Sequence, residues 1–385
     1  MEEVYVIGAG QTPFGRLKES SRETAATACK LVLEQSGVDP ATIQGLYVGN
    51  CFGLSEQQGH LGPLIATSLG IPKVPAMTIE SACASGSVTF REAYMSVAGG
   101  FSDLVLAVGV EKVSHLDIFS ATSYFAMGSD YAYEGRSGIT FPGLYALMAT
   151  AYLQKHERTQ EDLAHIAVKN HQNASLNPKA HIQKPVTVEE VMASRMIAYP
   201  LKLYDCCPFS DGAAAAVLVS KARFRELGAE GIRVLGSGRS GMTAALHDRP
   251  DLTRMESARW AGEEAYRQAG LTPKDVDFAE VHDCFTIAEA IALEELQLAK
   301  PGEGAVLARE ERTTLGGELP VNPSGGLKAK GHPVGATGLG QIVEVFEQLL
   351  GRSGPRQVDG AEIGLTHNVG ATGGSAAVHL FTAEG

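Results

Sequence analysis

An internal repeat limits what this chain can fold into more than any other feature of its sequence. The run Val6-Ile7-Gly8-Ala9-Gly10 matches Val234-Leu235-Gly236-Ser237-Gly238, and each is a short β-branched run followed by Gly-x-Gly. This pattern predicts an inner strand that ends in a glycine turn. A helical pattern follows each strand, over about residues 22–35 and 256–268. The repeat therefore predicts two similar β/α halves.

The repeat keeps its register beyond these helices. Gly37 and Gly270 close the two predicted helices, and a Cys-Phe pair begins 14 residues after each glycine, at Cys51 and at Cys284. Each half then continues through a turn of small residues into another helix and an apolar strand. We interpret this as an internal duplication in which each half is a mixed α/β unit, a sheet covered by helices.

Residues 114–200 interrupt the repeat. The first part of this insertion is predicted to be a loop rich in aromatic residues, and two helical patterns follow near residues 145–157 and 160–173. Long insertions are usually lids or binding loops, so the region is expected to contact substrate, although a local aromatic core explains it equally well. The predicted domains are a first core half over 1–113, to which residues 201–228 return, an inserted domain over 114–200, and a second core half over 229–385.

The charge balance excludes two broad classes of partner. The chain has 32 basic and 44 acidic residues, a net charge of −12, so no general affinity for nucleic acid or an anionic membrane is expected. The longest apolar run, residues 213–219, is far shorter than the ~20 residues of a membrane span. The first residues lack a secretory pattern, and none of the six cysteines forms a C-x-x-C pair. We expect a cytoplasmic protein without disulfides or a bound metal.

One glycine motif is misleading. Gly8-Ala9-Gly10 has the form of the start of a dinucleotide-binding fingerprint, but Pro13 stands where G-x-G-x-x-G needs its third glycine. Nicotinamide binding is therefore not predicted.

Cys83 is the first candidate for chemistry. It lies in Ser81-Ala82-Cys83-Ala84-Ser85-Gly86, before a predicted helix over residues 88–97. The dipole and free N–H groups of a helix N-terminus favour a thiolate, which is nucleophilic near neutral pH, and the Cys83 N–H is suited to an oxyanion hole. Most isolated cysteines, however, are simply small buried residues.

His332 is the second candidate. It lies in Gly331-His332-Pro333-Val334-Gly335, within a glycine-rich segment whose backbone is held in a particular loop shape. Histidine is the natural base for a cysteine nucleophile. In the repeat, His332 occupies the strand-to-helix position that Cys83 occupies in the first half. The two side chains are therefore predicted to meet across a pseudo-twofold axis.

Two further motifs end predicted strands. His282 and Cys284, in His282-Asp283-Cys284-Phe285, lie two residues apart, so on a strand both side chains point into one cavity. A polar strand edge with a buried cysteine explains the pattern equally well. Residues 366–374 end another strand in a glycine loop suited to donating backbone N–H groups, although such loops often do no more than turn.

Together these motifs resemble the thiolase family over nearly the whole chain. Residues 81–86 resemble its nucleophile motif, and Gly331-His332-Pro333 resembles its Gly-His-Pro motif. Residues 210–215 resemble the strand that returns from the family's loop region to the first core half. The resemblance implies a five-layer αβαβα fold, coenzyme A as co-substrate, no permanently bound cofactor, and a homodimer or dimer of dimers.

Two departures narrow the resemblance. His282-Asp283-Cys284-Phe285 stands where many thiolases have Asn-Glu-Ala-Phe, and Asn368-Val369-Gly370 stands where they have Cys-x-Gly, whose cysteine moves the α-proton. Both departures are similar to the sterol-carrier-protein-type thiolases and their bacterial and archaeal relatives. In that subgroup the cysteine of His-Asp-Cys-Phe takes over the acid/base role, so the resemblance assigns that role to Cys284.

The reaction that the resemblance implies is the CoA-dependent cleavage of a 3-ketoacyl-CoA, or the reverse Claisen condensation. His332 takes the proton of Cys83, which attacks the 3-keto carbon. The oxyanion is met by backbone N–H groups of Cys83 and of the loop that follows Asn368, from Gly370 to Gly373.

The second half of the implied reaction uses the other motif. Cys284 protonates the acetyl-CoA enolate, whose thioester oxygen is stabilised by His332 and His282, and free CoA then releases the shortened acyl group. The aromatic insertion favours a bulky or ring-bearing substrate, such as an aryl-succinyl-CoA thioester. The residues that bind the CoA moiety are not assigned.

Relatives of this subgroup often work with a small zinc-ribbon/OB-fold protein, which would be a separate chain because no zinc-ribbon cysteines occur here. The alternatives are a retro-aldolase acting on a β-hydroxyacyl-CoA, an acetoacetyl-CoA-forming thiolase that channels product through such a partner, and a ketoacyl synthase. A scaffold without chemistry is the non-enzymatic alternative. Cys83 and His332 together argue against the aldolase, which is expected to dispense with the nucleophile. The presence of Cys83, His332, His282 and Cys284 together argues against the scaffold.

Overall fold

Strands and helices alternate along most of the chain in a computed structural model that describes residues 2–384. Within those residues the strands are β1 (Val4–Gln11), β2 (Leu46–Gly49), β3 (Ala76–Ile79), β4 (Leu104–Glu111), β5 (Met196–Ala198), β6 (Leu201–Lys202), β7 (Gly212–Ser220), β8 (Ile232–Gly241), β9 (Phe278–Glu280), β10 (Ile363–Gly370) and β11 (Ser375–Ala383). The α-helices are α1 (Ser21–Ser36), α2 (Leu61–Ser68), α3 (Ser85–Ala98), α4 (Ile118–Ala126), α5 (Phe141–His156), α6 (Gln160–Ser175), α7 (Val188–Ala193), α8 (Lys221–Leu227), α9 (Glu256–Ala269), α10 (Thr286–Glu295) and α11 (Thr337–Leu349). Among these described helices, none is both long enough and apolar enough to cross a membrane.

Nine strands form one sheet in the order β3-β2-β4-β7-β1-β8-β11-β10-β9. The sheet has a narrow joint, because β1 pairs with β8 only at Tyr5 and Val6, whereas it pairs with β7 over most of its length. The same directions recur on both sides of the joint. β2 runs parallel to β4, and β7 antiparallel to β4 and β1; β9 runs parallel to β10, and β11 antiparallel to β10 and β8. This recurrence confirms the predicted duplication.

Helices complete a five-layer arrangement around the two half-sheets. α1 packs on β1 and β7 outside the first half, and α9 packs on β8 and β11 outside the second. α3 and α11 pack against each other between the halves, where Phe90, Leu339 and Phe346 belong to one buried apolar core. The αβαβα architecture implied by the resemblance is therefore confirmed.

The Gly-x-Gly pairs of the repeat lie inside strands, so the prediction of glycine turns is wrong. β1 continues to Gln11, and β8 continues to Gly241. A Cβ atom at Gly8 would lie 3.0 Å from a backbone oxygen of α1, and one at Gly238 would lie 1.9 Å from Ala261 O of α9. Each half needs these glycines because a helix packs directly on its strand.

The insertion is more helical than its sequence pattern predicts. α4 forms inside the aromatic stretch, where we expect a loop, because the Asp117 side chain caps its N-terminus by accepting hydrogen bonds from two backbone N–H groups. The aromatic side chains divide between three environments. Tyr145 is fully buried, Tyr133 is exposed, and Phe125 and Phe141 line a cavity.

Candidate active site

Cys83 lies in a tight turn between β3 and α3. The Ser85 hydroxyl accepts a hydrogen bond from Ser81 N–H at 2.9 Å and donates one to Ala82 O at 2.7 Å, which closes the turn. Ala82 has a φ of 47°. α3 begins at Ser85, three residues earlier than predicted, so the cysteine lies two residues before the helix.

The protonation state of Cys83 differs from the prediction. Burial raises the pKa of the Cys83 thiol to about 12, whereas the N–H groups of Ala371 and of Cys83 itself act in the opposite direction. Desolvation outweighs these hydrogen bonds, so the resting group is a neutral thiol and not the thiolate that a helix N-terminus is expected to favour. Cys83 therefore needs a base to become nucleophilic.

The crossing of α3 and α11 brings the first turns of both helices to one place. A Cβ atom at Gly338 would lie 2.2 Å from Ser87 N, and one at Gly86 would lie 2.8 Å from a backbone oxygen that precedes α11. Glycine is required because no side chain fits between the two backbones. Cys83 and His332 precede these helices, so their side chains meet where the repeat predicts.

His332 faces the sulfur with a neutral ring. Its Nδ1 atom lies 2.6 Å from the Thr337 hydroxyl. Its Nε2 atom is buried and has no hydrogen-bond partner among residues 2–384. Burial lowers the pKa of His332 to about 3. The ring is therefore uncharged and can accept a proton, and one of its nitrogens lies within 4.8 Å of Cys83 Sγ.

Buried charges fix the glycine-rich loop before α11, and the sequence analysis missed them. Lys328 and Lys330 lie in a π-helical turn over residues 326–330, and both are buried. Lys330 Nζ lies 3.4 Å from Glu280 Oε2, and the Asp283 carboxylate accepts a hydrogen bond from Leu327 N–H at 2.6 Å. The sequence signal for these buried charges was the presence of two lysines, Lys328 and Lys330, in a segment of small residues.

His282 completes a cluster with Cys83 and His332. The rings of His282 and His332 are nearly perpendicular, at 87°, with centroids 5.2 Å apart. His282 Nδ1 lies 2.6 Å from Asn368 Nδ2, and its Nε2 is buried without a partner in the described part of the chain. Burial, reinforced by the neighbouring histidines His332 and His367, holds the pKa of His282 well below its ordinary value.

Cys284 lines the same space, next to Tyr145. The Tyr145 hydroxyl donates a hydrogen bond to Ala371 O at 2.8 Å, and Tyr145 lines the cavity beside the Cys284 thiol. Burial raises the pKa of the Cys284 thiol well above its ordinary value. Since Ala371 N–H faces Cys83, one short chain of contacts joins the two cysteines.

The glycine loop after β10 differs in one detail from its predicted role. Gly370 lies so close to the nucleophile turn that a Cβ atom there would be 2.6 Å from Ser81 O. Gly373 N–H, which the resemblance implies as an oxyanion donor, instead donates to Gly370 O at 2.9 Å. The N–H that faces the Cys83 sulfur belongs to Ala371. Ala371 therefore takes the place expected for Gly373, because the turn uses the Gly373 N–H internally.

An apolar cavity of about 440 Å³ opens onto these groups. Cys83, Cys284 and His332 lie on its wall. Most of its remaining lining is aromatic or aliphatic: Ile118, Phe125, Phe141, Pro142, Tyr145, Ile197, Leu203, Pro208, Phe209 and Phe285. The cavity can therefore hold an apolar group against the sulfur while the rest of a ligand stays outside.

Comparison with known families agrees with this geometry. Residues 4–222 match the model described as thiolase, N-terminal domain, and residues 238–383 match the model described as thiolase C-terminal domain-like. The chain belongs to the thiolase family. The family predicted from the sequence is thereby confirmed, and this thiolase is an acyltransferase that uses coenzyme A as co-substrate.

Individual relatives cover nearly the whole thiolase. It is 46% identical to acetyl-CoA acetyltransferase of Methanothermobacter thermautotrophicus, over 99% of this chain and 100% of that protein. It is 35% identical to benzoylsuccinyl-CoA thiolase subunit BbsB of Thauera aromatica, over 96% of this chain and 94% of that protein. The solved structure named Ltp2-ChsH2(DUF35) aldolase matches with a TM-score of 0.85 and 26% identity, over 99% of this chain and 98% of that one.

Proposed function

We propose that this thiolase cleaves a 3-ketoacyl-CoA with CoA, or forms it by the reverse Claisen condensation, through an acyl group held on Cys83. The observation that carries the proposal is the cluster beside the sulfur, where His282 and His332 each have an unpartnered ring nitrogen. A thiol, a neutral base and a second polar ring beside an apolar cavity are the groups that a thioester exchange needs.

The first step makes the acyl-enzyme. Because thiol and imidazole are both neutral at rest, His332 takes the proton while Cys83 attacks the 3-keto carbon. The oxyanion forms near the N–H groups of Cys83 and Ala371, which already face the sulfur. When it collapses, the bond between the α and β carbons breaks. The acyl group stays on sulfur, and acetyl-CoA leaves as its enolate.

The second step protonates that enolate and releases the acyl group. Cys284 supplies the proton from the cavity wall beside Tyr145, and His282 and His332 hold the thioester oxygen. The thiol of free CoA then gives its proton to the Cys284 thiolate and attacks acyl-Cys83, which releases the shortened acyl-CoA. The leaving Cys83 sulfur takes back the proton that His332 holds. Covalent catalysis divides one difficult exchange between carbon and sulfur into two easier steps.

The cavity supports an acyl group larger than acetyl. Its volume is about 440 Å³, and Phe125, Phe141, Phe209 and Phe285 line it. Aromatic walls pack well against flat rings. A relative is named for a benzoylsuccinyl-CoA thioester. We therefore propose a bulky or aromatic substrate of the aryl-succinyl-CoA type, and a preference for acetoacetyl-CoA over every aryl or branched 3-ketoacyl-CoA would contradict it.

An acetoacetyl-CoA-forming thiolase is the second candidate, supported by the 46% identity to a protein named acetyl-CoA acetyltransferase. In this version a homodimer passes its product on through a separate zinc-ribbon/OB-fold protein. The similar aldolase structure is named with a second component, ChsH2(DUF35), which supports a two-protein assembly. That name also supports testing for retro-aldolase activity, which needs neither an acyl-cysteine nor free CoA.

Intact-mass spectrometry with peptide mapping tests these proposals. The protein is exposed briefly to acetyl-, straight-chain, branched and aromatic acyl-CoAs, with Cys83→Ser as the matched control. We expect an acyl increment on Cys83 alone, fastest with the acyl group of the natural substrate. Cleavage of a β-hydroxyacyl-CoA without CoA and without labelling would instead support the aldolase, and labelling only in the presence of a co-purified protein would support the assembly.

A further inference from the structure

His282 and His332 each have an unpartnered ring nitrogen beside Cys83. The two rings differ in the group that contacts the other nitrogen. His332 Nδ1 faces the hydroxyl of Thr337, and His282 Nδ1 faces the amide of Asn368, both at 2.6 Å. Burial lowers the pKa of both rings, so each ring carries a single N–H proton. The position of that proton decides whether the nitrogen beside the sulfur is a base or a donor.

The hydrogen bonds of the Thr337 hydroxyl determine which ring nitrogen of His332 carries the proton. The Thr337 hydroxyl has one proton, and Pro333 O lies 3.1 Å away as its acceptor. His332 Nδ1–H must then donate to the same hydroxyl oxygen, which leaves the lone pair on Nε2. In the opposite arrangement Nε2 would carry the proton, and the neutral ring would have no lone pair with which to deprotonate Cys83.

Asn368 places the proton of His282 on the opposite nitrogen. The Nδ2 group of Asn368 can only donate, so it bonds to the lone pair on His282 Nδ1, and the ring proton lies on Nε2. His282 therefore presents an N–H to the space beside the sulfur, where oxygen-bound negative charge is best met by a donor. If the Asn368 amide were reversed, both His282 and His332 would present a lone pair to the sulfur, and neither would offer an N–H donor.

We propose that Thr337 and Asn368 are positioning residues that hold the two active-site imidazoles in opposite tautomers, with His332 as the base and His282 as the N–H donor. The inference rests on the proposed function, which needs one ring of each kind. It also separates the cluster from a metal site. Cys83 Sγ and one nitrogen of each ring lie within 4.8 Å of one another, like a zinc ligand set, but a nitrogen that carries a proton cannot ligate an ion.

Nitrogen NMR of protein labelled with nitrogen-15 histidine measures the tautomers directly. Signals are assigned by their loss in His282→Gln and in His332→Gln. We expect an unprotonated Nε2 in His332 and a protonated Nε2 in His282. The same tautomer in both rings of the wild-type protein would overturn the inference, whether or not any variant folds.

Variants at Thr337 separate positioning from packing. Thr337→Val keeps the shape and removes the acceptor, so alkylation of Cys83 by iodoacetamide and its acylation by acetyl-CoA should both slow about 100-fold. Thr337→Ser keeps the hydroxyl and should recover to within about threefold of wild type, with the wild-type His332 tautomer. Thr313→Val is the matched control, because the Thr313 hydroxyl is buried without a partner. Equal losses in Val and Ser variants would contradict the assignment.

Asn368→Asp should move the ring proton of His282 to the other nitrogen, while the side chain at position 368 keeps its shape. A carboxylate can only accept, so His282 should place its proton on Nδ1, and the kcat of thiolysis should fall about 100-fold. The rate at which acetyl-CoA acylates Cys83 should fall by no more than about tenfold, because acylation does not require the enolate. An unchanged His282 tautomer in this variant would overturn the inference.

Failure of the inference is distinguishable from failure of the proposed function. If wild-type protein acylates Cys83 and turns over, but Thr337→Val behaves like wild type, only the inference is wrong. If wild-type protein never acylates Cys83, the proposed function is wrong, and the NMR experiment still reports the tautomers of His282 and His332.

Discussion

The two Cys-Phe pairs of the duplication follow equivalent strands, β2 and β9, yet lie in different surroundings. Cys51 Sγ is 3.7 Å from Glu80 Oε1, and the Cys51 N–H donates to the Glu111 carboxylate at 3.0 Å. Cys284 instead lies with Tyr145 on the wall of the apolar cavity. The same motif therefore gives a thiol among carboxylates in one half and a thiol facing a cavity in the other.

Burial raises the pKa of both thiols, and the two carboxylates raise that of Cys51 further. Burial alone therefore does not distinguish the two. The difference lies in access and charge: Cys284 faces the cavity, whereas Cys51 packs in a small apolar cluster with Phe52 and Val334. We conclude that the duplication determines the position of each thiol in its half. Nearby carboxylates and access to the cavity determine its reactivity.

Removing each thiol is the strongest test of this comparison. Cys284→Ala should lower the kcat of thiolysis about 1,000-fold, because the enolate loses its proton donor. Cys51→Ala should change it by less than about twofold, since Cys51 is outside the cavity. Loss of 3-ketoacyl-CoA absorbance measures both. Acylation of Cys83 by acetyl-CoA should persist in Cys284→Ala, and equal losses in the two variants would refute the distinction.

The crossing of α3 and α11 holds the two compared regions together, so its disruption has the next largest effect. In Gly338→Ala the new Cβ would lie 2.2 Å from Ser87 N, and backbone cannot give way there. We expect a loss of about 3 kcal/mol in the free energy of unfolding. Gly316→Ala is the control, because nothing lies within 4 Å of its Cβ position, and it should cost less than about 0.5 kcal/mol. Similar urea midpoints for the two variants would contradict the close crossing.

The sequence predicted features that depend on local spacing. Gly37 and Gly270 end α1 and α9 in the left-handed conformation, with φ of 66° and 69°, as the repeat requires. The predicted meeting of Cys83 and His332 also follows from spacing, because equivalent strand-to-helix turns of two related halves face each other.

The sequence did not predict features that depend on packing between distant segments. The thiol state of Cys83 follows from desolvation, which only the assembled fold determines. Tyr145 bonds to a residue 226 positions away, and no local pattern signals such a contact. The N–H of Ala371, and not that of Gly373, faces the Cys83 sulfur, because the Gly373 N–H donates to Gly370 O within the loop. Spacing thus located the site, while its protonation states and supporting contacts came from tertiary structure.

Tyr145 provides a further test of the comparison, because it lines the cavity beside Cys284, whereas carboxylates contact Cys51. Tyr145→Phe should lower the kcat of thiolysis about tenfold, because it removes the hydrogen bond to Ala371 O that holds the loop whose N–H faces Cys83. Tyr266→Phe is the matched control, since that hydroxyl donates to Leu296 O at 3.2 Å on a buried helix outside the site. Both variants should lose similar stability in urea, but only Tyr145→Phe should lose activity. Equal kcat values would remove Tyr145 from the mechanism.

The smallest expected effect concerns the charge beside Cys51. Burial and nearby carboxylates raise the pKa of this thiol, so its thiolate fraction, and its alkylation rate, increase as pH rises. Glu80→Gln keeps the oxygen that accepts Ala82 N–H but removes one negative charge. The pKa of Cys51 should therefore fall, and alkylation by iodoacetamide near neutral pH should speed up about threefold. Peptide mapping follows Cys51, with the fully buried Cys29 as an internal control. An unchanged alkylation rate would mean that burial alone suppresses the reactivity of Cys51. Access, and not charge, would then distinguish Cys51 from Cys284.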